Sequence, residues 1–429
     1  MTLIIIFTAM ILLVLAGLPI AFIMLVLSGV YFLTGPVPGF ITLLPTKIFE
    51  GMDVIILTAI PFFLLAGDIM GKSGMADRLM DFANELIGRV RGGLAHVNVM
   101  VSLLFAGLTG VAVGDIAALG KLEVNGMERA GYPRPFAAAV TVSSALIGPI
   151  IPPSGMIILY CAIMDVSVGG MFLAAIVPGV LMALGDMLLI STVAKKRNFP
   201  KVDSPFSLVV LLSKGRHAVL AVALPVILIG GIVGGIVTPT EAAAVAVIYA
   251  LIVAVFIYRT MTLKSLWRSF ANASFESARL MFMIGAALTM SWVFALEDMP
   301  GKFAVLFGGS DTSLLVLLLT INVMFLVLGM IMEPSLALIL FGPIVAPVAY
   351  AAGLDPLQLG VMLLVNVTVG LATPPVGNAL FAIASVVTVD MSKLIKELLP
   401  FLAIKFVMMV LIGTLPFITL AVPGLFGLN

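Results

Sequence analysis

Apolar runs of about 20 residues recur from end to end of this 429-residue chain, and a run of that length crosses a bilayer core of about 30 Å as a helix. Inside lipid each backbone N–H and C=O must be satisfied within the protein, so these runs read as transmembrane helices. The expected fold is an all-α polytopic membrane protein. Charged residues make up only 10% of the chain and apolar ones 62%, where soluble domains carry roughly 25% charge. No segment between the runs is long enough to fold alone, so any soluble partner is a separate chain.

Composition also removes several functions. A net charge of +1 gives no nucleic-acid signal. The single Cys161 and two histidines, His96 and His217, exclude an intramolecular disulfide and make a thiol or imidazole metal cluster implausible. The first apolar stretch has no basic leader and runs on past Pro19, which predicts a retained span.

Against this background "LIGPIIPPSGMIIL" (146–159) is an anomaly. Proline removes a backbone donor and clashes with the preceding turn, costing about 3 kcal/mol in a helix interior. The segment has a partner in "VGLATPPVGNALFAIA" (369–384), in which Pro374–Pro375 match Pro152–Pro153 at an offset of 222. Gly148 then falls on Gly370, Gly155 on Gly377, Ser144 on Asn366, and upstream Gly107 on Gly329. "GDIMGK" (67–72) matches "EDMPGK" (297–302), and Pro19 can face Pro239. A shared order of landmarks predicts two repeats, 1–205 and 206–429.

Spans are expected near 1–17, 18–33, 54–71, 135–163, 168–194, 218–236, 240–258, 279–297, 357–387 and 398–422. Two further stretches, 94–119 and 313–348, are interrupted near their middles and read as re-entrant hairpins. Five crossings per repeat make the repeats inverted, about ten crossings in all. Eighteen of the 22 Lys and Arg then fall on one face and only Lys47 and Lys302 on the other, while Arg279 and Lys405 lie within or beside spans. By the positive-inside rule both termini lie outside, in the periplasm of a Gram-negative host. The 94–119 hairpin opens inward and the 313–348 hairpin outward. Segments 74–91 and 261–277 mix apolar and charged residues as an interfacial helix or a cytosolic loop would, and 195–216 reads as a linker.

Irregular backbone at membrane depth is tolerated only when buried in protein or lining a cavity. The irregular points form two pairs: hairpin tips at Gly107–Asp115 and Gly329–Pro334, and breaks at Gly148–Gly155 and Gly370–Gly377. Pairing a tip with a break in each repeat makes two related sites where freed carbonyls ligate a cation and helix N-termini face an anion. Thr109, Asp115, Ser143, Ser144 and Ser154 supply oxygen to one, and Glu333, Asn366, Thr368 and Thr373 to the other. Oxygen without imidazole or thiol suits a hard cation such as Na+. Asp115 and Glu333 either serve the site or cap hairpin helices, while Asp186 and Glu297 are expected near span ends. An intramembrane aspartyl protease would need glycine where Ala112 stands and a second matching aspartate. A channel would show rings of like charge.

Four stretches, "IPFFLLAGDIMGKSGMADRL" (60–79), "PFAAAVTVSSALIGPIIPPSGMIILY" (135–160), "GIVTPTEAAAVAVIYALI" (235–252) and "NVTVGLATPPVGNALFAIAS" (366–385), closely resemble the large membrane subunit of tripartite ATP-independent periplasmic (TRAP) transporters. The likeness spans essentially the whole chain. It implies an elevator-type ion-transporter architecture, import of organic acids such as sialic acids or C4-dicarboxylates with a Na+ gradient, and no organic cofactor. It also implies two protein partners, a small four-helix membrane subunit and a periplasmic substrate-binding protein, with the small subunit separate because this chain starts at the large-subunit start.

Mapped onto this sequence, the resemblance assigns one Na+ site to Gly107, Thr109, Gly110, Ser144, Gly148 and Pro149. The other falls to Gly329, Glu333, Asn366, Gly370 and Thr373. Substrate is expected at Asp115, Ser154, Gly155, Gly377 and Asn378. Asn378 suits a hydroxyl-rich acid, which favours a sialic acid over a simple dicarboxylate. A proton-coupled carrier of the same fold is the alternative reading.

Overall fold

The computed structural model describes residues 2–35, 38–201, 207–306 and 313–428, the side chains of 2–4, 7, 11, 15, 38, 106–109, 217 and 306 excepted. Every regular element among the described residues is helical. Helices α1 (Thr2–Leu15) and α2 (Ile20–Thr34) meet at Pro19, which caps α2. Then come α3 (Leu44–Met52), α4 (Ala59–Lys72) and α5 (Met75–Ile87), the last entered through Gly74 in the left-handed region (φ 72). Helices α6 (Gly93–Thr109) and α7 (Ala112–Arg129) form a hairpin that turns at Gly110, whose φ of 62 suits a residue without a side chain. Helices α8 (Arg134–Ala145) and α9 (Gly155–Met164) are two halves of a broken helix, followed by the long α10 (Val168–Lys196).

The same order then recurs. Helices α11 (Leu208–Val233), α12 (Pro239–Leu251), α13 (Leu263–Leu296) and α14 (Met299–Leu306) lead to a second hairpin, α15 (Leu314–Ile331) and α16 (Pro334–Ala351). A second broken helix, α17 (Pro356–Gly370) and α18 (Asn378–Val386), precedes α19 (Met391–Thr414) and the short α20 (Phe417–Leu425).

Some expected boundaries shift. Segment 261–277 is neither loop nor separate helix but the first half of the 34-residue α13, because no proline or glycine separates it from the span that follows. The expected linker 195–216 is already helical from Leu208. Six helical stretches among the described residues are long and apolar enough to cross a bilayer, or eight when two bent pairs are included. Two of the six are the hairpin arms α15 and α16. Interrupted or short elements such as α2, α9 and α17 fall below crossing length on their own.

The two halves interleave. Helix α4 lies along α12, α2 along α13, and α10 along α19. Each broken helix sends its second half across to the other hairpin, so that α9 packs on α16 and α18 on α7. Matching glycines 222 residues apart permit both crossings. A methyl at Gly342 would lie 2.5 Å from Met164 Cε, and one at Gly120 3.1 Å from Ile383 Cδ1. The hairpins nevertheless differ in setting. Helix α16 rests on α13 and α14 and is buried along most of its length, whereas α7 packs on α6, α8 and α18 and leaves Val111, Val113, Ala117, Ala118 and Leu122 exposed.

One ion pair sits in the middle of this assembly. Asp186 lies well inside α10 and not near a span end, and Lys405 of α19 reaches its Oδ2 at 2.7 Å. Both side chains are fully buried. Ser143 of α8 donates to the same oxygen at 3.0 Å, so three helices from both halves meet on one carboxylate. Removing one partner of a buried pair strands a charge and costs about 3–5 kcal/mol, whereas removing both is far milder. Lys405→Met is expected to destabilise the purified protein by that amount in mixed-micelle unfolding. Adding Asp186→Leu should recover most of the loss, and an equally unstable double variant would contradict the pairing.

Candidate ion and substrate site

Prolines decide where the broken helices open. Pro149, Pro152 and Pro153 have no N–H with which to close helical bonds to the carbonyls of Ala145, Gly148 and Pro149, and Pro374 and Pro375 likewise release those of Gly370 and Leu371. Four of these five carbonyls are recaptured nearby. Gly148 N–H donates to Ala145 O (3.1 Å) and Ser154 Oγ to Pro149 O (2.6 Å). Thr373 N–H donates to Gly370 O (3.0 Å), and Ala379 N–H reaches back to Leu371 O (2.8 Å). The carbonyl of Gly148 accepts no backbone N–H among the described residues. In both breaks the Pro–Pro peptide bond is cis.

The first hairpin meets the first break here. A side chain at Gly110 would lie 3.5 Å from Gly155 N and Ser154 Cα, so the tip sits in contact with the break. Asp115, in the first turn of α7, is buried, and its Oδ2 would be 2.6 Å from a methyl at Gly148. A carboxylate there complements the positive end of α7 and stands beside the Gly148 backbone. A buried carboxylate next to a free carbonyl can hold a hard cation. Gly107 and Thr109 belong to the last turn of α6, and their side chains lie outside the described residues.

The second hairpin meets its break more tightly. A methyl at Gly329 would fall 2.3 Å from Val367 O, and one at Gly370 would fall 2.5 Å from Leu326 O, so α15 and α17 cross backbone to backbone. Gly377 is equally tight, 2.5 Å from Leu371 O within the break itself. Thr373 Oγ1 donates to Val369 O at 2.9 Å. Glu333 stands at the N-cap of α16 without making a cap bond; it is exposed and accepts from Ser335 Oγ at 2.5 Å. The two breaks differ in access. Pro152, Pro153 and Ser154 are buried and Gly155 half-buried, but Pro375, Val376 and Asn378 are exposed.

Two asparagines that the sequence reading did not single out tie each hairpin to its broken helix. Asn98 of α6 accepts from Ser144 Oγ at 2.7 Å and donates to Thr141 Oγ1 (2.7 Å) and Glu123 Oε2 (3.0 Å). Asn322 of α15 accepts from Asn366 Nδ2 at 2.6 Å. All of these groups are buried. The signal was present in the sequence: the tripeptide Asn-Val-Met occurs at 98–100 and again at 322–324, near the offset of the prolines. Among the described residues no three His, Cys, Asp or Glu side chains gather as a metal cluster would require.

Comparison with known proteins bears on this geometry. The sequence profile for the DctM component of tripartite ATP-independent periplasmic transporters matches residues 7–418. The C4-dicarboxylate TRAP transporter large permease protein of Pseudomonas aeruginosa is 38% identical over 91% of this chain and 92% of its own length. The sialic acid TRAP transporter large permease protein of Vibrio cholerae is 36% identical over 96% of each chain. Among solved structures, the Neisseria gonorrhoeae antimetabolite efflux pump MtrF superposes with a TM-score of 0.63, covering 88% of this chain and 84% of that one at 15% identity, a likeness of fold alone.

A buried hydrogen bond contributes about 0.5–1.5 kcal/mol net, and the number of bonds removed separates the two asparagines. Asn98→Leu removes three at once, to Ser144, Thr141 and Glu123, while Asn322→Leu removes the one to Asn366. Unfolding in detergent is expected to show the greater loss for Asn98→Leu; the reverse order would contradict the network. In the same assay Gly329→Ala is expected to cost about 1–3 kcal/mol by overpacking against Val367. Gly126→Ala, with nothing within 4 Å, should be neutral or stabilising.

Proposed function

This chain belongs to the family of the DctM component, the large membrane permease, of tripartite ATP-independent periplasmic transporters, and from that premise we propose that it imports organic acid anions by Na+ symport. It is a multi-pass membrane protein and a transporter permease, not an enzyme. In this reading a periplasmic substrate-binding protein delivers a carboxylate-bearing substrate to the outer face. A separate small membrane subunit enlarges the fixed part of the assembly. The chain resides in the bacterial inner membrane as two inverted repeats, with about ten crossings and both termini periplasmic.

The observation that carries the reading is the doubled unit of hairpin and broken helix, each joined by a buried asparagine. A second copy of a costly interruption, with the same internal bond, is what a two-fold ion site near the membrane midplane requires. The first ion site centres on the Gly148 carbonyl, with Asp115 and Ser144 beside it. The second lies at the crossing of Gly329 and Gly370, near Thr373. Sodium bound at these points holds each hairpin tip against its break, so an unloaded core does not move. Substrate enters beside the exposed end of the second break, at Asn378. The unequal setting of α7 and α16 supports an elevator mechanism, in which the core rests against the fixed helices on one side at a time.

The similar large permeases named above serve, by their names, C4-dicarboxylates in one case and sialic acid in the other. Both remain candidate substrates, and the polar Asn378 favours the hydroxyl-rich acid. Uptake into proteoliposomes carrying both membrane subunits is expected to require an inward Na+ gradient together with the loaded binding protein. Equal uptake without Na+, driven by a proton gradient instead, would replace the coupling ion. Asp115→Asn is expected to raise the half-saturating Na+ concentration roughly tenfold, about 1.4 kcal/mol, and an unchanged Na+ dependence would remove Asp115 from the site.

A further inference from the structure

Away from both breaks, the end of α5 with the turn into α6 and the last turns of α10 border an open cavity of about 560 Å³. Its wall is apolar, formed by Ile87, Val90 and Met187. At its floor His96 and Ser191 face each other, Nε2 to Oγ at 2.9 Å, and the imidazole Nδ1 also meets Gly92 O at 3.0 Å. Arg91 and Lys195 complete the lining. Neither cation has an ion-pair partner among the described residues; Arg91 donates to Asn198 Oδ1 at 3.0 Å. The acidic residues nearest to them along the chain, Glu85 and Asp186, are paired with Arg89 and Lys405.

Two unpaired cations over an apolar wall call for an amphiphilic anion. A soluble anion would leave Ile87, Val90 and Met187 uncovered. An apolar ligand would leave the two charges unanswered. Beside Met187 on α10, Leu184 and Leu188 are 53% and 68% exposed, which continues the apolar wall along the helix toward the lipid. Basic pockets between membrane helices on the cation-rich side recognise anionic lipid headgroups in this manner. We propose that the cavity binds an anionic phospholipid, its phosphate between Arg91 and Lys195 and an acyl chain along Leu184 and Leu188. The lipid would bridge α5 to α10, each of which packs on α6 of the first hairpin.

The test uses the full-length protein in a neutral detergent, titrated with short-chain phosphatidylglycerol while thermal unfolding is followed. The wild-type midpoint is expected to rise, with no rise from short-chain phosphatidylcholine or from inorganic phosphate. Arg91→Gln with Lys195→Gln should weaken the apparent lipid affinity roughly tenfold to thirtyfold, at about 1 kcal/mol per cation. Lys264→Gln with Arg268→Gln, on α13, which contributes no residue to the cavity lining, should leave it unchanged. Should the charge variant fold poorly, Val90→Trp fills the cavity with both cations intact and is expected to abolish the shift. A shift of equal size with inorganic phosphate would show a plain anion site. A shift that survives either cavity variant would place the lipid elsewhere, and both results overturn the proposal.

Discussion

A carbonyl that loses its helical N–H inside a bilayer has no water to turn to, and this constraint organises the molecule. Five prolines release five carbonyls in the two broken helices, and the surrounding residues are arranged to take them back. A serine hydroxyl, shortened turns and one long reach from Ala379 to Leu371 account for the recaptured ones. The carbonyl at Gly148 is left without a backbone donor beside a buried aspartate.

The same constraint explains why the hairpins cannot stand apart from the breaks. Each tip covers backbone that lipid would not tolerate, and the close approach is possible because glycine occupies the contact points Gly110, Gly329 and Gly370. Asparagine then supplies donors and acceptors on a short side chain, joining α6 to α8 and α15 to α17. The second halves of the broken helices cross to the opposite hairpin over Gly120 and Gly342. Each site is thus braced by both halves of the chain, and Lys405, Asp186 and Ser143 bring α19, α10 and α8 together a short way from the first.

Much of this was legible because proline and glycine act locally. Pro152–Pro153 and Pro374–Pro375 mark the breaks, Gly110 marks a tip, and the shared spacing marks the repetition of the design. Other features were not legible for equally physical reasons. Glu333 stands exposed at the tip of the second hairpin and accepts from Ser335, a setting that hydropathy alone does not disclose. Asp186 was expected at a span end, and nothing within α10 discloses that its cation comes from a helix more than 200 residues later. The continuity of α13 through 261–277 is an instance of the converse: charged residues alone do not end a helix when no breaker is present.

By itself the sequence determined the helical membrane class, the positions of the two interruptions and the residues available at them, since each follows from period, composition and the missing N–H of proline. Tertiary structure decided which hairpin meets which break and that Asp115 stands against Gly148 in the first of them. It also decided that one hairpin arm is buried against α13 and α14 while its counterpart is exposed. The two Pro–Pro segments are alike in sequence, and only the packing of the whole chain sets their surroundings apart.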